Sequence, residues 1–120
     1  MLPYDSKKNY FGAENTQLAE LFGEILKLMP VLRDDWNYAA YNHDVAYSGK
    51  KDTGFFGHIV NFLKRLKADK KFRFELEEAI YHAEEECKIS YERGDRAMTL
   101  AKYSYKAVRY LGWKFYRTKD

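Results

Sequence analysis

An all-α fold of four to five helices is what this sequence predicts, with two long antiparallel helices carrying the reactive side chains. Two observations predict it. Apolar residues recur at three- and four-residue steps through most of the chain, and strand-like alternation never survives beyond a few residues. There is no internal repeat, and 120 residues with 46% hydrophobic content suffice for one core but not two, so residues 1–120 are expected to form a single domain.

Residues 1–15 carry Pro3, Asp5, Asn9, Gly12 and Asn15 without periodicity, which reads as an irregular arm or loop. The stripe Leu18, Leu21, Phe22, Ile25, Leu28 and Met29 predicts a helix over 16–29 that ends before Pro30. Asp34 and Asp35 offer an N-cap for a second helix over 35–48, whose stripe is Trp36, Ala39, Ala40, His43 and Tyr47. The segment 48–54, with two glycines among polar residues, is the clearest internal loop. Phe55, Phe56, Ile59, Val60, Phe62 and Leu63 then form a short apolar segment before the basic run Lys64-Arg65-Leu66-Lys67. It reads either as a short helix packed on the core or as an exposed apolar flap with a basic skirt, a combination suited to an anionic lipid surface.

The longest helical pattern runs through Leu66, Asp69, Phe72, Leu76, Ile80, Ala83 and Cys87. Gly94 suits its C-terminus, and Asp95 suits the N-cap of a last helix over 96–116 with stripe Met98, Ala101, Tyr105, Val108, Leu111 and Phe115.

Composition excludes several functions. Cys87 is the only cysteine, so neither an intrachain disulfide nor a multi-cysteine zinc site can form, which suits a reducing compartment, or a virion or secreted product that does without disulfides. No apolar run reaches signal-peptide or membrane-span length, so the chain is expected to be soluble, cytoplasmic or virion-associated. The net charge of +3 is too mild to call for nucleic acid, and Lys64, Arg65, Lys67, Lys70, Lys71 and Arg73 read as a solvated helix face.

The reactive residues concentrate at Asn42-His43-Asp44-Val45-Ala46-Tyr47. His43 and Tyr47 are four apart and share a helix face, while Asp44 is turned toward a neighbouring groove. Asp69 falls on the core stripe between Leu66 and Phe72, where an unpaired carboxylate is expensive, and His43 is its best partner. A carboxylate would orient the imidazole and stabilise its protonated form, the Tyr47 hydroxyl could satisfy the second oxygen, and Asp44 is left to bind a hard cation.

His43-Asp44-x-Ala46-Tyr47, followed by Ala68-Asp69-x-x-Phe72, resembles the active-site signature of the phospholipase A2 superfamily, in its cysteine-poor viral and bacterial branch. The ending Tyr103-x-Tyr105-x-Ala107-Val108-Arg109-Tyr110-Leu111-Gly112-Trp113 is similar to the last helix of small phage-encoded relatives, and the likeness covers 36–76 and 97–116. The resemblance implies hydrolysis of a glycerophospholipid sn-2 ester, with His43 as general base held by Asp69 and Tyr47. It implies calcium as cofactor, with Asp44 as side-chain ligand and the loop containing Tyr10, Gly12 and Glu14 completing the shell. Glu14 stands where the family pattern has its second glycine. Phe55, Phe56, Lys64, Arg65 and Lys67 would meet the phospholipid surface.

Two other functions fit the same residues. One is a catalytically silent relative that binds lipid or a protein partner. The other is an HD-type metal-dependent phosphohydrolase, which needs further metal-binding positions; His58 and His82 are the only other histidines, and neither has suitable spacing.

Overall fold

The computed structural model describes residues 3–8, 10, 27, 30–48 and 53–115, with side chains as far as 110. Three helices and no strand occur among them: α1 (Pro30–Tyr47), α2 (Gly54–Glu85) and α3 (Tyr91–Phe115). The all-α expectation holds, with three helices among the described residues against the four to five expected. Apart from Lys27, which is helical, the helix expected over 16–29 lies outside the described residues.

Helix α2 is the axis of the fold. Trp36 and His43 of α1 meet Leu76 and Asp69 of α2, so rising numbers on one helix meet falling numbers on the other and the pair is antiparallel. Gly94 and Arg109 of α3 meet Glu84 and Asp69 in the same descending order, so α3 is antiparallel to α2 as well.

The core is built from the stripes that periodicity marks out. Leu32, Trp36, Ala39 and Ala40 of α1 pack with Phe72, Leu76, Ala79, Ile80 and Ala83 of α2 and with Ala97 and Ala101 of α3. Trp36 is fully buried, and its indole Nε1–H donates to the Leu76 carbonyl at 3.2 Å, satisfying the polar edge of the ring. The small residues at 39, 40, 79, 83, 97 and 101 leave room for close helix approach.

Four boundaries differ from the sequence expectation. Helix α1 begins at Pro30 rather than at 35, because proline lacks only an N–H that a first turn leaves unbonded anyway; Asp34 and Asp35 lie exposed inside the helix instead of capping it. The apolar segment at 55–63 and the pattern from Leu66 are one continuous 32-residue helix, since no glycine or proline interrupts them after Gly57. The first of the two alternatives for that segment fails. Phe55 and Phe56 are more than 70% exposed, and Ile59, Phe62 and Leu63 are about half exposed.

Cys87 does not continue the stripe of α2. It takes a positive φ of 55° just past the helix end, where its N–H donates to the Glu84 carbonyl at 3.0 Å and the Lys88 N–H donates to the Ala83 carbonyl at 2.9 Å. This pair of bonds is a Schellman ending, a role usually taken by glycine. The next helix is capped by Ser90, whose hydroxyl accepts the Arg93 N–H at 3.2 Å, rather than by Asp95. Gly94 therefore lies inside α3, and its lack of a side chain admits Glu84: a Cβ there would sit 1.8 Å from the Glu84 Oε1. Starting α3 at Tyr91 also fixes its inward face, which is Ala97, Ala101 and Ser104, with Tyr105 only half-buried.

Candidate functional site

The predicted pair meets between α1 and α2. His43 Nε2 lies 2.6 Å from Asp69 Oδ1, with His43 buried and Asp69 without any solvent exposure. The Tyr47 hydroxyl, one turn beyond His43, donates to the same Oδ1. One carboxylate oxygen thus holds two side chains of one helix face. Phe72, one turn after Asp69, lays its ring 4.9 Å from the imidazole centroid, so the Asp-x-x-Phe spacing serves to grip both the edge and the face of His43. Tyr47 covers another side at 4.2 Å.

Burial, followed by the hydrogen bond to Asp69, drives the Tyr47 hydroxyl well above its ordinary pKa. It stays protonated and acts as a donor throughout the working range of a protein.

Sequence reasoning missed a fourth member. Arg109 of α3 donates from Nη1 to Asp69 Oδ2 at 2.7 Å, with its side chain 19% exposed. It neutralises the buried charge and ties the last helix to the site. The available signal was the inventory problem itself: a carboxylate on a core stripe has two oxygens, His43 and Tyr47 come from one side, and Arg109 falls among half-buried positions of the last helix.

The imidazole is anchored through Nε2, and Nδ1 carries no hydrogen bond to the described residues. Asp69 fixes the tautomer with the proton on Nε2 and leaves Nδ1 as a proton acceptor.

Of the expected metal ligands, Asp44 and Tyr10 lie among the described residues. Asp44 is half-buried on α1 next to His43, with its carbonyl accepting the Ser48 N–H at 3.0 Å. Gly12 and Glu14 lie outside the described residues. Tyr10 is buried against α1, its N–H donating to Asn37 Oδ1 at 2.8 Å and its hydroxyl accepting the Asp5 N–H at 2.9 Å. Asn37 also donates to the Lys8 carbonyl at 2.6 Å, so one buried amide clamps the N-terminal segment two turns before Asp44. Calcium takes six to eight oxygens, and no three His, Cys, Asp or Glu side chains converge among the described residues. The described donors do not make a calcium shell by themselves.

Of the expected lipid-facing residues, Phe55, Phe56, Lys64 and Lys67 are exposed and Arg65 is half-buried. His58 and His82 are exposed and far along the helix from Asp69, so they bring no second histidine to the site. Val45 and Tyr110 add exposed apolar surface.

No family model, characterised protein or solved structure matches this chain.

Proposed function

We propose that this chain hydrolyses a carboxylic ester of a glycerophospholipid, at the sn-2 position, using a water molecule activated by His43. The observation that carries the reading is the buried His43–Asp69 contact at 2.6 Å, which holds one imidazole nitrogen and leaves the other as a base. In the reaction Nδ1 takes a proton from water as the water oxygen attacks the acyl carbon. Asp69 stabilises the imidazolium that results, and the same nitrogen returns the proton to the departing glycerol oxygen, leaving a fatty acid and a lysophospholipid. Tyr47 and Arg109 hold Asp69 in place throughout.

The lipid substrate is supported by the phospholipase A2-like spacing of these residues and by the exposed phenylalanines of α2 beside Lys64 and Lys67. Among the described residues Asp44 is the carboxylate that would hold calcium, and the ion, when bound, would polarise the ester carbonyl.

The test is fatty-acid release from mixed phospholipid vesicles, with calcium or with chelator, by the parent chain and by His43→Ala and Asp44→Ala. Release should fall by about 10²- to 10⁴-fold in His43→Ala, the usual contribution of a general base. Loss in Asp44→Ala and in chelator would add the metal. Undiminished release by a folded His43→Ala, or none by the parent on several lipids, would overturn hydrolysis; vesicle binding without release would leave a lipid-binding module.

A further inference from the structure

The site contains one arginine more than it uses. Arg109 is taken up by Asp69, and both oxygens of Asp69 already have partners. Arg65 lies one turn before Asp69 on the same face of α2, half-buried among the described residues. Its Nε is the single buried side-chain nitrogen or oxygen among them that is left unpaired. A buried donor on a charged group without a partner is costly, and such an orphan in an otherwise satisfied network marks a place where something else binds.

The position says what kind of ligand. Side chains lean toward the N-terminus of their helix, which carries Arg65 away from Asp69 and onto the ring of Phe62, 6.0 Å from its centroid. Arg109 stands 5.4 Å from the same centroid, so two guanidinium groups flank one aromatic ring. Both positive fields reach the Tyr47 hydroxyl. Around that hydroxyl one carboxylate, Asp69, stands against two arginines, which leaves a surplus of positive charge there. Beyond Phe62, toward the start of α2, lie the exposed Phe55, Phe56 and Ile59. Arg65 therefore sits between the hydrolytic pair and an exposed apolar end, where the charged part of an amphiphile would come to rest.

We propose that Arg65 binds the phosphate of an acidic phospholipid beside the hydrolytic pair, so that the chain selects anionic over zwitterionic lipids. A guanidinium fork matches phosphate oxygens, and the choline cation of a zwitterionic head would meet the surplus positive charge. This selection rests on the lipid reading above but not on turnover.

Uncleavable dihexyl ether analogues of phosphatidylglycerol and phosphatidylcholine, below their micelle concentrations, test it, with inorganic phosphate as a third arm. Binding is followed by the Arg65 Nε–H resonance and by tryptophan fluorescence. The glycerol analogue should bind the parent chain about tenfold more tightly than the choline analogue, the size of one charge-assisted hydrogen bond. The gap should close in Arg65→Gln and in Arg65→Met, which keeps the packing on Phe62, and should survive in Arg96→Gln at the other end of the bundle. Equal binding of the two analogues, or a gap that persists in a folded Arg65→Gln or Arg65→Met, would overturn the proposal. So would inorganic phosphate binding Arg65 as tightly as the glycerol analogue, which would make this a free-anion site. Fatty-acid release is measured separately, so loss of hydrolysis with the gap intact would remove the catalytic reading alone.

Discussion

Removing the Arg109 charge tests whether the site is held from three helices or from two. In Arg109→Met an unbranched apolar side chain replaces the guanidinium, and Asp69 Oδ2 loses its 2.7 Å donor in a place without solvent exposure. Breaking a buried pair by deleting one partner costs about 3–5 kcal/mol, mainly because the remaining charge is stranded. Arg109 keeps 19% of its side chain exposed, so water can partly replace it and the lower end applies, about 3 kcal/mol. With a urea m-value of about 2 kcal/mol/M for a chain of this size, the unfolding midpoint should fall by about 1.5 M. The companion variant Asp69→Asn removes the stranded charge. In the double variant the two losses should fall short of their sum by at least about 1 kcal/mol, as for residues in one network. Equilibrium urea unfolding of the four proteins, followed by circular dichroism with the m-value checked for constancy, gives the cycle. A loss under about 0.5 kcal/mol in Arg109→Met, or additivity within that margin, would show that the α3 contact carries no weight and that Asp69 is held by α1 alone.

Two further outcomes follow from the local geometry. Cys87→Gly should raise stability by about 0.5–1 kcal/mol in the same urea assay, because glycine holds the positive φ at the end of α2 without the side-chain clash; a lower midpoint would mean the thiol contributes packing there. Asn37→Ala should cost about 1–3 kcal/mol and speed tryptic cleavage after Lys7 and Lys8, because both the Tyr10 N–H and the Lys8 carbonyl lose their partner; unchanged cleavage would show that the tyrosine cluster of Tyr4, Tyr10 and Tyr41 holds this segment without the amide.

The pairing of His43 with Asp69 was legible because two independent constraints met. Helical spacing put His43 and Tyr47 on one buried stripe, and the same spacing put a carboxylate inside the core, where it had to find a donor. Arg109 was not legible in that way, since a lone arginine on an amphipathic helix is usually solvated. Its register against α2 depends on where α3 begins, and that is set by Ser90 and by the left-handed turn at Cys87, a residue whose chemistry gives no warning of such a turn. The exposure of Phe55 and Phe56 was hidden for a related reason: periodicity cannot tell an apolar helix face that meets a neighbour from one that projects beyond it, and α2 is longer than either helix packed against it.

Local pattern by itself determined the all-α class, the inward faces of α1 and α2, and the candidate base with its orienting carboxylate, because burial of a 3.6-residue stripe is decided within each helix. Only the tertiary structure decided which charge neutralises Asp69, which arginine is left over, and where apolar surface remains uncovered. Those depend on the relative placement of three helices, and placement is set by caps, turns and close approaches such as Gly94 on Glu84, whose energies are too small and too local to leave a periodic trace in the sequence.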